Sequence, residues 1–248
     1  MADPILKVEN LTKRFGGLAA SNNLSLEVRE GTTHAVIGPN GAGKSTMIAQ
    51  LQGELRPDSG RILFEGRDIT GLPSHARARL GIARTFQVTS VLPEFTVFTN
   101  VALAIQAGRG HSFQMFRTAH RDPSIRADAE RSLAAVRLAD RSASLVSELS
   151  HGERRQLELA IAIAMKSRML LLDEPLAGMG RNDSMFMVQL LSELKQRYTI
   201  LLVEHDMAAV FHLADRISVL VAGEAIAAGT PEEIRGNRKV QNAYLGHS

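Results

Sequence analysis

Cysteine and tryptophan are absent from this 248-residue chain, and aromatics are scarce, with nine phenylalanines and two tyrosines. Without cysteine there is neither a disulfide framework nor thiolate chemistry. Long hydrophobic runs are missing too. The longest, Leu159 to Met165, covers seven residues, against the roughly 18 that a bilayer-spanning helix needs. The first residues, Met1-Ala2-Asp3-Pro4, carry neither the basic start nor the apolar stretch of a secretory leader, so a cytoplasmic location is expected. Charge is close to balanced, at +3, and no run of five or more Lys and Arg occurs. The densest basic stretch, Arg109 to Arg121, reads as a solvated loop or helix face, and a basic stripe for nucleic acid is lacking.

What is present fits a globular protein. This length suits one large domain, or one domain with a subdomain inserted, and a hydrophobic fraction of 44% supports a sizeable core. Short β-rich runs between turn residues fill the first third: Ile5 to Val8, Leu24 to Val28, His34 to Ile37 and Arg61 to Phe64. A helix is expected from Lys44 to about Gly53. From about Val88 to Ala164 strand-like runs vanish, and Ile125 to Ala139 and Glu153 to Met165 space their apolar residues as helices do. The last third returns to buried strands, Met169 to Leu172, Ile200 to Val203 and Ile217 to Leu220, alternating with helices. Such near-continuous apolar strands predict a parallel sheet covered on both faces. The expected fold class is α/β, with antiparallel strands near the N-terminus and a mostly helical insertion.

Two motifs carry chemistry. Gly38-Pro39-Asn40-Gly41-Ala42-Gly43-Lys44-Ser45 fits G-x-x-x-x-G-K-[ST] in full, after a buried strand and before a helix. Glycines let the backbone curl so that N–H groups meet phosphate oxygens, and the helix N-terminus adds partial positive charge. Lys44 is expected to reach the β- and γ-phosphates and Ser45 to ligate Mg²⁺, with the Thr46 hydroxyl added to the phosphates. The second motif is the apolar strand Met169 to Leu172 ending in Asp173 and Glu174. Its acids fall at the carboxyl end, where open α/β sheets bind ligands. Asp173 is expected to hold Mg²⁺ through water, and Glu174 to polarise the water that attacks the γ-phosphate.

These motifs define a P-loop NTPase, and a third narrows it. Leu149-Ser150-His151-Gly152-Glu153 resembles the Leu-Ser-Gly-Gly-Gln signature of the ABC ATPases and lies 24 residues before Asp173 (173 − 149) at a helix start. The resemblance covers nearly the whole chain. It implies one ABC ATPase domain over 1–248: a nucleotide-binding core with a parallel sheet and an N-terminal antiparallel β subdomain (1–87 and 165–248), and an inserted helical subdomain with the signature (88–164). ATP and Mg²⁺ are the implied cofactors, with Gly38 to Thr46 around the phosphates. Ser150 and Gly152 would act on the nucleotide held by a second ABC ATPase chain. Gln87, in Thr85-Phe86-Gln87, matches the glutamine that touches Mg²⁺ and the attacking water and links to the membrane subunits. His205 matches the switch histidine at the γ-phosphate, and Phe15 the aromatic that stacks on adenine.

Within the family, Gly16 to Ala20, Gly81 to Gln87, the insertion around His111 to Arg121 and the tail Asn242 to Gly246 resemble importers for branched-chain amino acids. Those are similar in pairing two ATPase chains with two integral-membrane permeases and a periplasmic binding protein, which implies a peripheral place on the cytoplasmic face of the inner membrane. Lipopolysaccharide-export ATPases, similar around Pro73 to Arg79, and soluble non-transport ABC ATPases are the alternatives. Two positions depart from the family pattern. His151 replaces the first signature glycine. Gly180 stands where the loop Ala177-Gly178-Met179-Gly180 usually has an aspartate, and Asp183 comes three residues too late, which implies weakened hydrolysis at one site.

Overall fold

The computed structural model describes residues 3–85, 91–109 and 122–245. The chain begins with strands β1 (Leu6–Phe15), β2 (Leu18–Val28) and β3 (Thr33–Ile37), then helix α1 (Lys44–Gln52), strands β4 (Ser59–Phe64) and β5 (Arg67–Asp68), helix α2 (Ser74–Arg79) and strand β6 (Ile82–Thr85). Helices α3 (Val97–Gly108), α4 (Pro123–Ala135) and α5 (His151–Ala164) follow. Strand and helix then alternate: β7 (Met169–Asp173), α6 (Arg181–Leu194), β8 (Thr199–Val203), α7 (Met207–Leu213) and β9 (Arg216–Val221). Strand β10 (Glu224–Gly229) and helices α8 (Pro231–Arg235) and α9 (Arg238–Leu245) are the last of the described elements.

Two sheets result, with strand orders β2-β1-β4-β5 and β10-β9-β3-β8-β7-β6. The first is antiparallel. In the second, β9, β3, β8, β7 and β6 run parallel and only β10 is reversed. Period-2 alternation assigns its side chains to two apolar clusters. Ala35, Ile37, Leu170, Leu172, Ile200 and Leu202 join a core that includes α3 to α6. Val36, Met169, Leu171, Leu201 and Val203 join another with α1, β1, β2 and β4. The central sheet is therefore buried on both faces, as its unbroken apolar strands require.

Local chemistry sets the boundaries. Asp122 caps α4 by accepting from the Ser124 and Ile125 amides, with Pro123 in the first turn. The helix expected to reach Ala139 stops at Ala135, and Arg137 adopts a left-handed φ of 58°. Strands β1 and β2 run well past their apolar runs, because their distal halves are partly exposed and polar, with register shifts after Val8 and Leu11. Strand β10 escapes a hydrophobicity reading for the same reason: it is an edge, mostly open to solvent.

Candidate nucleotide-binding site

Strands β3, β8 and β7 are consecutive neighbours in the sheet and run the same way, with Val36 opposite Val203 and Val203 opposite Asp173. Their carboxyl ends therefore meet along one edge. The loop Gly38 to Gly43 leaves β3 there, Asp173 and Glu174 end β7, and His205 follows β8.

The loop is packed too tightly for side chains at two points. A Cβ at Gly38 would lie 2.2 Å from the Leu220 carbonyl oxygen, and one at Gly43 2.1 Å from the Ala20 carbonyl oxygen. Gly43 also needs a left-handed φ of 99° where α1 begins, which glycine alone adopts without strain. Pro39 accepts the Ala42 amide at 3.2 Å, and the Ala42 carbonyl accepts from Gly223 at 2.9 Å. Lys44 is buried, and its ammonium donates to the Gly38 and Pro39 carbonyls at 2.7 and 3.0 Å. Burial pulls its pKa below the usual lysine range, against the opposing pull of Glu174 and Asp173. A desolvated cation ringed by curled backbone favours an anion. Asn40, Gly41 and Ser45 are exposed, while Pro39 and Thr46 are half-buried.

The Asp173 side chain is 10% exposed and accepts from Arg84 Nη2 at 3.0 Å. Arg84, on β6, also holds Gln52, the last residue of α1, at 2.6 Å and Glu54, just beyond it, at 3.0 Å. Glu174 takes a left-handed φ of 50° and donates its amide to the Val203 carbonyl at 2.8 Å. Its charge acts on Lys44, opposing the effect of burial there. The His205 side chain is 64% exposed, free to meet a ligand at the same edge. Asp173 and Ser45 offer hard oxygen donors, the set Mg²⁺ takes when phosphates supply the rest. Gln87 lies outside the described residues.

Phe15 is 52% exposed at the β1–β2 turn, with Lys13 Nζ 5.7 Å from its ring centroid. The Ala20 contact with Gly43 brings this turn beside the loop. The signature segment lies elsewhere. Ser150 caps α5 reciprocally, its Oγ accepting the Glu153 amide at 3.2 Å and its amide donating to Glu153 at 2.8 Å. Among the described residues, no hydrogen bond or ion pair joins Ser150 to Gly152 with Gly38 to Thr46. Instead His151 Nε2 meets the Ala177 carbonyl at 3.3 Å, and a Cβ at Gly152 would stand 3.5 Å from the Asp183 carboxyl carbon. Asp183, too late in sequence to fill the place of Gly180, lies against the signature of its own chain. Sequence reasoning passed over Arg84 and Glu204. The signal for Glu204 was an acid straight after four buried apolar residues.

A family model described as "ABC transporter" matches residues 21–177. The chain belongs to the ABC transporter family. It is an ATPase of that family, and a second model, "Branched-chain amino acid ATP-binding cassette transporter", matches residues 226–248. The high-affinity branched-chain amino acid transport ATP-binding protein LivG of Salmonella typhimurium is 39% identical, with 100% of each chain covered. The lipopolysaccharide export system ATP-binding protein LptB of Haemophilus influenzae is 31% identical over 98% of this chain and 97% of its own. Among solved structures, the ADP conformation of an ABC-transporter cassette superposes with a TM-score of 0.87 at 29% identity, covering 99% of this chain and 100% of that one. The mixed sheets and helices of this ABC ATPase agree with that fold.

Proposed function

We propose that this ABC ATPase is the motor subunit of an importer for branched-chain amino acids. The observation that carries its chemistry is the shared edge of β3, β8 and β7, where a desolvated lysine, two carboxylates and an exposed histidine converge. ATP is the substrate. The amides from Gly38 to Gly43 and the start of α1 hold its phosphates, Lys44 exchanges its loop carbonyls for phosphate oxygens, and Phe15 stacks on adenine. Ser45, Asp173 and Gln87 would hold Mg²⁺, which would supply charge neutralisation at the phosphates. Glu174 orients and deprotonates the attacking water, and His205 contacts the γ-phosphate.

Residues 88–164 act as a helical subdomain on a core formed by 1–87 and 165–248, the whole working as one domain. Among the described residues Ser150 and Gly152 make no hydrogen bond with their own phosphate loop, and they serve the nucleotide of a second ABC ATPase chain, so that each site is composite. The chain drives two integral-membrane permeases fed by a periplasmic binding protein, from the cytoplasmic face of the inner membrane. The match at 226–248 and the higher identity to LivG than to LptB support import over lipopolysaccharide export. Pull-down of the tagged chain from detergent-solubilised native membranes tests this. Two hydrophobic permeases and a second, similar ATPase are expected. Recovery of lipopolysaccharide-export partners, ribosomes or DNA contradicts the import assignment and leaves the ATP chemistry standing.

A further inference from the structure

Glu204 follows β8 directly, and its side chain is 0% exposed. Among the described residues no lysine or arginine pairs with it. Its Oε1 accepts the Leu176 amide at 2.9 Å, and its Oε2 accepts the His205 and Asp206 amides at 2.8 and 3.3 Å. The His205 ring lies beside it, with Nδ1 3.5 Å from Oε2. A carboxylate is costly to bury without a partner, and a valine or leucine would continue the apolar strand at no such cost. The turn into α7 does not need it either. Asp206 already caps that helix, accepting from Ala208 and Ala209 at 2.9 and 3.1 Å. What Glu204 adds is a bridge between two loops: the one after β8 that carries His205 and the one after β7 that carries Glu174.

The bridge falls where the backbone is strained. Glu174 has its left-handed φ of 50°, a conformation that persists only when its surroundings hold it. One tie is its own amide on the Val203 carbonyl, at 2.8 Å. The other is the Leu176 amide on Glu204, two residues further along. Both ties run to the same strand end, one residue apart. We propose that Glu204 is a positioning residue for ATP hydrolysis, its carboxylate fixing the His205 turn against the loop that presents Glu174. This rests on the roles given to Glu174 and His205 above.

Glu204→Gln keeps the shape and leaves one acceptor oxygen. An amide oxygen turned to Leu176 presents NH2 to His205 and Asp206, and the reverse orientation releases Leu176. The expected result is a kcat about 10- to 100-fold lower per bound nucleotide, with KM for ATP and affinity for ADP within about twofold, because Lys44 and its loop are untouched. Glu204→Asp keeps the charge but is one methylene shorter, so it satisfies one loop only. It is expected to show the same split and serves if the glutamine variant does not fold. An unchanged kcat in either folded variant overturns the proposal. So does a loss of kcat and affinity together, in step with a lower melting temperature, since that is what a purely structural role produces. The parent chain and Lys44→Ala are assayed alongside. Parent hydrolysis no faster than Lys44→Ala removes the reading of the whole site, whereas normal parent hydrolysis with an unaffected Glu204→Gln removes Glu204 alone.

Discussion

Arg77 is the largest fully buried side chain among the described residues, 1% exposed, and none of their carboxylates forms an ion pair with it. Its guanidinium donates to four backbone carbonyls: Gln50 at 2.7 Å and Leu51 at 2.8 Å near the end of α1, Leu72 at 2.9 Å and Thr70 at 3.0 Å. Arg77→Met keeps an apolar stem of similar volume and removes all four donors. Charge-assisted bonds at about 1.5 kcal/mol each give about 6 kcal/mol lost. An opposing gain comes from removing a buried charge. Burial lowers the Arg77 pKa from the usual arginine range to about 10, so charging it in the fold has cost about 3 kcal/mol. The net loss is about 3 kcal/mol, which lowers the melting temperature by about 6 to 12 °C for a chain of this size. Arg77→Lys recovers little, since one ammonium cannot span four carbonyls in a planar fan. Urea unfolding and thermal melting measure both variants. A loss of under about 0.5 kcal/mol for Arg77→Met refutes the stabilising role given to these four bonds.

The other predictions concern pH and the phosphate loop. Burial, with a smaller push from Arg216, lowers the His34 pKa from 6.5 to about 4. Between those values the unfolded chain binds the proton and the folded chain does not. The contribution of His34 to stability is therefore flat above pH 6.5 and falls as pH drops towards 4, by about 3 kcal/mol in full. Unfolding free energies of the parent and His34→Gln at several pH values should converge as pH falls through that window, and parallel curves contradict this. Gly43→Ala forces a Cβ to within 2.1 Å of the Ala20 carbonyl at a left-handed φ. It should weaken binding of a fluorescent ADP analogue at least about tenfold, and unchanged affinity means that the loop does not hold the phosphates.

Much of the core was legible because its signals are local. Thr199 to Val203 is wholly buried, which the unbroken apolar run Ile200 to Val203 foretells, and Gly43-Lys44-Ser45 marks the start of α1 without help from packing. The distal halves of β1 and β2, and all of β10, were not legible. Half-exposed strands are held by their neighbours' hydrogen bonds, and no hydrophobic run records that. The same limit applied within the site. Arg84 and Glu204 are bonded to residues distant in sequence, Asp173 and Leu176. Asp183, three positions from where an aspartate was sought, reaches Gly152 only because the first turn of α6 lies beside the first turn of α5.

The central claim is that this ABC ATPase hydrolyses ATP at composite sites between two chains, with Glu174 activating the water. Sedimentation velocity on Glu174→Gln, with hydrolysis assayed in parallel, tests it most directly. The account predicts turnover lower by at least about a hundredfold and a dimer that forms with ATP, not with ADP, and is lost when Lys44→Ala is added. Turnover at the parent rate, or a monomer at saturating ATP both alone and mixed with the second ATPase recovered in the pull-down, contradicts it.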